Sequence, residues 1–283
     1  MFNSIVYKVD ISEFPNSFQL LQQEAMLTDS SLLSGFEYLV KGSFEDKGKG
    51  AYYAAFFDLS IGFERLMKLV IITHFMVEND FKSYDPKELR KYGHDLKKLF
   101  KKSIAISREY GVNSAKKDSD DLNDKILKFL TDFADAQKGR YFNINNTTKQ
   151  NDPIILWKSL LDKIARQDFS ETDRQRLESE TFNNISLKLQ LEDIAKDTGY
   201  VDSIYQQHKT LLANHYVLWR IINLLKPLAL TLGEISTKCH EIETSTSPKN
   251  YPSIPYFNEF FLFSDAEIEE VMRRKRWTDL FYS

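Results

Sequence analysis

The segment from residue 51 to residue 78 constrains the fold most strongly, because it is long, rich in apolar side chains and free of proline. Before residue 78 it carries only four charged side chains: Asp58, Glu64, Arg65 and Lys68. At about 100° per residue, these side chains lie within an arc of about 120° around a helix axis. The pattern predicts a helix from about Gly50 to Glu78 that needs apolar packing partners on most of its circumference.

The composition of the whole chain favours helices over sheets. In 283 residues there are 10 glycines and 7 prolines, whereas Phe and Tyr number 21 and 14. Few helix breakers and many core-forming side chains are typical of long helices around an apolar core. We therefore predict an all-α fold, a helical bundle with a C-terminal helical extension. Residues 4–10 alternate loosely between apolar and polar types and allow at most one short N-terminal strand.

Charge, cysteine content and hydropathy exclude several classes of protein. The formal net charge of −3 excludes a polycation, so any nucleic-acid contact must come from a local basic patch. Cys239 is the only cysteine, which excludes an internal disulfide framework and a cysteine-rich zinc module and fits a reducing compartment. The N-terminal residues lack the pattern of a signal peptide, and the most apolar run, Leu69–Val77, is far shorter than the roughly 20 residues that span a bilayer. These features predict a cytoplasmic protein with no membrane contact.

Apolar periodicity, caps and breakers predict the helix boundaries. Helices are predicted at residues 16–26, 29–41, 50–78, 86–110, 120–137, 153–166, 170–197 and 201–244. Asp29 is the predicted N-cap of the second helix, Gly93 a break in the fourth, and Pro227 a kink or division in the last. A capping-box pattern at residues 264–267 predicts a terminal helix. We place a domain boundary near residues 145–152, which gives a bundle at 1–150 and a C-terminal helical region at 151–283; the alternative is that both share one core.

The charged stripe on the long predicted helix has two interpretations. Glu64 and Lys68 are four residues apart, a spacing at which the two side chains can form an ion pair. The stripe could be the solvated face of a core helix. It could also line a wet groove, in which its charges position a ligand or orient a side chain on the next helix.

The segment from Arg90 to Asp95 holds the candidate catalytic residues. If the helix continues through Gly93, Arg90 and His94 lie one turn apart on the same face. Imidazole transfers protons near neutral pH, and guanidinium binds phosphate in a bidentate manner. Such a pair suits RNA cleavage, in which the ribose 2′-hydroxyl attacks the adjacent phosphate. The alternative is a helix that begins at Gly93, with His94 capping or packing there and Arg90 in solvent.

A dense run of basic side chains surrounds this pair. Residues 87–102 contain seven basic and two acidic side chains, a net charge of +5. The candidate nucleic-acid-binding residues in this run are Lys91, Lys97, Lys98 and Lys101. Such a density attracts phosphates and makes binding salt-dependent, although charge runs also occur on solvated helix faces. A second basic cluster, residues 273–276, could contact nucleic acid or an acidic partner, or interact with the negative end of its helix.

Other motifs do not provide a competing site. His208 and His215 are two turns apart on a predicted helix and lack the spacing of the His-Glu-x-x-His metal motif. The sequence contains no phosphate-binding loop, dinucleotide-binding glycine motif, nucleophile elbow or kinase signature. We therefore expect neither a metal site nor a cofactor.

A helix carrying Glu64-x-x-x-Lys68, a polar connection and then the run Gly93-His-Asp-Leu-Lys-Lys-Leu99 resembles the HEPN-like helical superfamily over roughly residues 50–140. The resemblance implies a small helical bundle that forms a homodimer, in bacterial stress, phage-defence and toxin–antitoxin systems. In catalytic members it implies that an Arg and a His at the dimer interface cleave RNA without a metal ion; the matching positions are Arg90 and His94. The spacer between them, residues 91–93, is shorter than the family pattern, and other members are inactive binding or scaffolding modules.

The leading hypothesis is therefore an RNA-binding protein with metal-independent endoribonuclease activity. His94 would transfer the proton, Arg90 would stabilise the phosphate, and the four lysines would guide the RNA backbone. The residues expected to orient the site are Glu64, Lys68 and Asp95. The alternative is a non-catalytic helical interaction or adaptor module, or a ligand sensor, with a protein or small molecule as its partner. A His94 exposed beside Arg90 in a basic cleft favours the first hypothesis, and a His94 buried among apolar side chains favours the second.

Overall fold

The computed structural model describes residues 14–113, 121–135, 152–191, 198–246 and 252–282. Within these ranges every regular element is a helix, which confirms the predicted all-α class. The helices are α1 Asn16–Lys41, α2 Asp46–Glu78, α3 Pro86–Arg90, α4 Leu96–Glu109, α5 Asp121–Ala134, α6 Pro153–Asp168, α7 Glu171–Leu191, α8 Thr198–Thr246 and α9 Ile268–Arg273. None of these helices combines the length and the apolar character that a bilayer span requires. The predicted strand at residues 4–10 lies outside the described ranges.

α1 and α2 form an antiparallel hairpin whose backbones approach closely at two glycines. A Cβ atom added to Gly62 of α2 would lie 2.6 Å from Cδ2 of Leu32 in α1. A Cβ atom added to Gly35 of α1 would lie 2.8 Å from Cγ of Leu59 in α2. Both leucines are completely buried, so their side chains have little room to move. These two contacts set the register of the hairpin.

α2 lies at the centre of the bundle and packs against α1, α4, α5 and α8. Its apolar side chains, among them Tyr52, Phe56 and Phe63, are buried in these contacts. The hydroxyl of Tyr52 donates a hydrogen bond to the amide oxygen of Asn214 in α8 at 2.8 Å. The chain itself therefore supplies the packing partners that the apolar pattern of α2 requires. A second copy of the chain is therefore not needed to cover this helix.

α8 connects the second half of the chain to the first. Asn214 Nδ2 donates to the carbonyl of Gly42 at 2.9 Å, and the hydroxyls of Thr231 and Ser107 lie 2.7 Å apart. Pro227 lies inside this helix, which is continuous, so the predicted division at that residue is wrong. Packing against several helices of the bundle offsets the backbone hydrogen bond that a proline removes. Side chains of α8 thus contact residues of both predicted regions, 1–150 and 151–283.

The C-terminal segment, residues 252–282, packs against α1 and α8. Large aromatic side chains of this segment are almost completely buried: Phe257, Phe261, Phe263 and Trp277. The rings of Phe263 and Trp277 both meet the ring of Phe36 in α1 edge to face, with centroids 5.3 Å and 5.5 Å away. At the far end of the segment, the hydroxyl of Thr278 donates to Glu37 at 2.7 Å. The segment is therefore an integral part of the apolar core.

Two helix starts differ from the sequence prediction. Asp29 is not an N-cap, because α1 is continuous through it and its side chain is buried inside the fold. The buried residues Ala25 and Leu32 on either side of it show that one face of the helix stays in the core, and this packing overrides the local capping preference. The terminal helix begins at Ile268 rather than at the predicted capping box, and Glu267 caps it without a side-chain hydrogen bond.

Candidate functional site

A tight turn between α3 and α4 positions the candidate catalytic residues. α3 ends at Arg90, and the N-cap of α4 is Asp95, whose carboxylate accepts a hydrogen bond from the backbone N–H of Lys98 at 3.0 Å. Between them Gly93 has a φ of +56°, a left-handed conformation that glycine adopts at no steric cost. Arg90 and His94 therefore do not lie on one continuous helix, and the helix is interrupted at Gly93, the residue at which the sequence predicted a break. The carboxylate of Asp95, predicted to orient the site, is engaged in capping α4.

His94 is held by a carboxylate from α2. Its Nδ1 lies 2.8 Å from Oε2 of Glu64, and Oε1 of Glu64 accepts a hydrogen bond from Nζ of Lys68 at 2.5 Å. The side chain of His94 is 71% exposed, whereas those of Glu64 and Lys68 are 18% and 22% exposed. The ion pair between Glu64 and Lys68, which the four-residue spacing predicted, is thus present. It forms a half-buried support for an imidazole that faces solvent.

This support favours one tautomer of His94. A carboxylate that accepts from Nδ1–H places the lone pair of the neutral ring on Nε2. Within the described ranges, Nε2 of His94 has no hydrogen-bond partner. An imidazole oriented in this way can accept a proton from a hydroxyl group and later return it.

Two of the four predicted nucleic-acid-binding lysines are neutralised within the protein. Lys91 donates to Glu88 at 2.5 Å, one turn away on α3. Lys97 donates to Asp124 of α5 at 3.3 Å. Both pairs are largely exposed, so solvent and salt weaken them and a phosphate could compete for either lysine.

The remaining predicted cations face solvent close to the turn. The ammonium group of Lys98 lies 5.5 Å from the ring centroid of Tyr92, a cation–π contact. The side chains of Arg90 and Lys101 are exposed and form no hydrogen bond or ion pair with the part of the chain that the structure describes. The structure therefore unites Glu64, Lys68 and His94, and leaves Arg90 and Lys101 as free positive charges.

Two other charged side chains of the stripe on α2 are Arg65, which forms an ion pair, and Asp58, which does not. Arg65 donates to Glu24 of α1 at 3.0 Å, and desolvation raises the pKa of Glu24 more than the guanidinium lowers it. Asp58 is half-buried, and burial raises the pKa of its carboxyl group. Asp58 has no hydrogen-bond or ion-pair partner among the described residues. Of the four charged side chains of the stripe, Asp58 is the one without such a partner in the described part of the chain.

A second cluster of titratable side chains lies where the ends of α2 and α4 meet α8. Nδ1 of His74 lies 3.3 Å from the hydroxyl of Tyr110, and its Nε2 lies 3.7 Å from Glu109. Burial lowers the pKa of His74 and raises the pKa of Tyr110 to about 12. Lys238 of α8 lies 5.3 Å from the ring centroid of Tyr110. Sequence analysis assigned no partner to His74, since its partners lie about 36 residues away on another helix and no local spacing reveals them.

No group of three or more His, Cys, Asp or Glu side chains in the described ranges is arranged to hold a metal ion. His215, one of the two histidines on α8, has its Nδ1 2.7 Å from the carbonyl oxygen of Val271, and so connects α8 to α9. Burial lowers the pKa of His215.

We compared the chain with protein-family models, with curated proteins and with solved structures. None of the three comparisons gave a match.

Proposed function

We propose that the protein binds RNA and cleaves it without a metal ion, with His94 as the proton-transfer group. The observation that carries the proposal is an exposed imidazole fixed by a half-buried carboxylate. Glu64 holds Nδ1 of His94 at 2.8 Å and is itself held by Lys68. A purely structural histidine on the surface does not need such a support, whereas a general base does.

The proposed reaction is a transesterification at a phosphodiester of RNA. Nε2 of His94 accepts the proton of a ribose 2′-hydroxyl, the 2′-oxygen attacks the adjacent phosphorus, and the bond to the 5′-oxygen breaks. The departing 5′-oxygen takes a proton from water, and the hydroxide formed takes the proton from His94, so that the products carry a 2′,3′-cyclic phosphate and a 5′-hydroxyl and the imidazole is neutral again. Arg90, exposed at the end of α3, neutralises charge on the phosphate. Lys98 and Lys101 attract the RNA backbone.

The setting and the assembly belong to this proposal through the resemblance to HEPN-like proteins. That resemblance implies a role in bacterial stress or phage defence and a homodimer in which two sites face each other. Nothing in the chemistry of His94 and Glu64 requires a second copy. The mass of the purified protein by light scattering tests the dimer independently of activity.

The test is incubation of the purified protein with total RNA and with tRNA, with and without EDTA. We expect cleavage that EDTA does not abolish, and we expect His94→Ala to reduce it by roughly 10²- to 10⁴-fold, the range for loss of a general base. His240→Ala is the matched control, because His240 is an exposed histidine on α8. Unchanged cleavage by His94→Ala would remove this residue from the mechanism.

A non-catalytic interaction module is the second candidate function. The internal pairing of Lys91 with Glu88 and of Lys97 with Asp124 favours it, because these contacts reduce the positive charge available to RNA. Under this alternative the protein would not retard labelled RNA at low salt. RNA binding without cleavage would instead retain the nucleic-acid interface and reject the catalytic role of His94.

A further inference from the structure

An exposed aromatic ring lies in the same row of α2 as the carboxylate that holds His94. The row has intervals of four, three and four residues, which places its members on one side of the helix: Phe57, Ile61, Glu64 and Lys68. Most large apolar side chains of α2 are buried, whereas Phe57 is 43% exposed. Seven residues separate Phe57 from Glu64, so the two lie about 10 Å apart along the helix axis. The row therefore places an accessible ring two helical turns from the candidate proton-transfer group.

Along the axis of α2, this ring and the lysines of α4 lie on either side of His94. α4 runs in the same direction as α2, because the hydroxyl of Ser103 donates to the carbonyl of Met67 at 3.2 Å and Tyr110 lies against His74 further on. His94 comes just before the first residue of α4. The body of α4 therefore extends from His94 towards the C-terminal end of α2, whereas the ring lies towards the N-terminal end.

The first two turns of α4 expose three lysines that have no carboxylate partner in the described part of the chain: Lys98, Lys101 and Lys102. They lie within an arc of about 100° on the solvent side of the helix. Unpaired cations at this density attract a chain of phosphates and make its binding salt-dependent. They do not distinguish single-stranded from double-stranded RNA, because both carry the same charged backbone. Such a distinction needs a group that contacts the bases.

We propose that an unpaired base of the RNA stacks on the ring of Phe57 while the backbone continues past His94 to the lysines of α4, so that the protein binds single-stranded RNA. This inference rests on the proposed function and names its substrate class. An aromatic ring stacks on any base whose face is open, whereas the bases of a duplex are already stacked on one another. A stacked strand carries one phosphate per roughly 3.4 Å. The stacked base therefore lies within a few nucleotides of the phosphate at His94.

The experiment measures binding of a labelled oligonucleotide whose 2′-hydroxyls are methylated, so that the proposed cleavage cannot occur. Fluorescence anisotropy compares the single strand with the same strand annealed to its complement, and we expect the wild type to bind the single strand more tightly. Phe57→Leu removes the ring but keeps an apolar side chain. It should weaken single-strand binding roughly 5- to 100-fold, the range for loss of one stacked base, and leave duplex binding unchanged. Phe57→Tyr keeps a ring and should bind like the wild type.

The salt dependence of the affinity separates the ring from the lysines. Lys101→Gln should reduce the slope of log affinity against log salt by about 0.7, the value for one phosphate contact of a single strand. Phe57→Leu should leave this slope unchanged, because an aromatic ring neutralises no phosphate. The matched control is Phe182→Leu on α7, which alters a phenylalanine that is 70% exposed and should change neither the affinity nor the slope.

Two results would overturn the proposal: a duplex that the wild type binds as tightly as the single strand, or single-strand binding that does not respond to Phe57→Leu. Cleavage of unmodified RNA is measured in parallel. Cleavage by the wild type together with binding that does not depend on the ring would reject the stacking alone. Ring-dependent binding without cleavage would reject only the chemistry of His94. Circular dichroism establishes that each variant is folded, which we expect because Phe57 and Lys101 are exposed.

Discussion

Asp29 has a carboxyl group inside the fold, where its Oδ1 has no hydrogen-bond partner in the described part of the chain. Asp29 is only 7% exposed. Burial raises the pKa of Asp29 to about 7, and a hydrogen bond from the backbone of Phe261 offsets only part of this effect. The pKa of Glu37 shifts in the opposite direction, although burial acts to raise the pKa of both carboxyl groups. Hydrogen bonds from Lys41 and Thr278 outweigh desolvation at Glu37 and lower its pKa to about 2.

The raised pKa of Asp29 predicts a loss of stability with rising pH. The folded state holds the proton up to about pH 7, whereas the unfolded chain releases it near pH 4, so folding becomes less favourable as pH rises through that window. Asp29→Asn should remove this loss, and the free energy of unfolding of the variant should exceed that of the wild type by up to roughly 4 kcal/mol at alkaline pH. Urea denaturation at pH 5 and at pH 9 measures it. Parallel pH dependence in the two proteins would show that Asp29 is ionised in the folded state.

Local sequence identified some of these residues and misassigned others for a physical reason. The pair of Glu64 and Lys68 depends on spacing within one helix, and the sequence shows that spacing directly. The contact of Glu64 with His94 joins residues 30 positions apart, on α2 and in the turn before α4, and no spacing within one helix reveals it. Asp29 has the side chain of an N-cap, but its environment is decided by the C-terminal segment that packs over it, which no local pattern contains.

At the scale of elements, close packing of α1 on α2 depends on two glycines. Gly62 and Gly35 each face a buried leucine of the other helix, at distances too short for a Cβ atom. Gly50, near the start of α2, has no atom within 4 Å of such a Cβ. Within α2, packing therefore requires glycine at position 62 but not at position 50.

This contrast predicts opposite effects of the same substitution. Gly62→Ala should destabilise the protein by about 1–3 kcal/mol, because Leu32 is buried and must shift to accept the methyl group. Gly50→Ala should instead stabilise it by up to about 1 kcal/mol, since alanine favours helix more than glycine does. Chemical denaturation of the two variants and the wild type gives both values. A stabilising Gly62→Ala would mean that the two helices do not approach as closely as described.

The sequence predicts which segments are helical better than it predicts where each helix begins and ends. The periodicity of residues 50–78 identifies α2, and the Asp-Pro pair at 152–153 fixes the start of α6. At Pro227 and at Asp29 the sequence predicted an interruption of the helix, because each residue favours a helix end locally. In both places burial on several sides keeps the helix continuous.

At the scale of the molecule, α8 packs against helices from both halves of the chain. It contributes Asn214 to the hydroxyl of Tyr52 and Thr231 to that of Ser107, both in buried surroundings. A sequence pattern shows that α8 is long and apolar, but it does not show which helices its faces contact. The order of elements around α2 therefore could not be predicted from the sequence.

These contacts predict that residues 1–150 do not fold alone. Without α8, the buried side chains of α2 that face it, Tyr52 among them, would be exposed to water. We expect the fragment to lack near-ultraviolet circular dichroism and a cooperative unfolding transition, in contrast to the full chain. A dispersed NMR spectrum of the fragment with a cooperative melt would establish residues 1–150 as a domain.

Glu37 and Thr278 touch although 241 positions separate them along the chain. The ring of Phe36 in α1 is likewise enclosed by Trp277 and Phe263. During synthesis α1 leaves the ribosome early, whereas these partners are made near the end. Part of the apolar face of α1 therefore stays exposed to solvent until translation is almost complete. We expect a nascent chain stalled before residue 252 to be bound by chaperones that recognise exposed apolar helices.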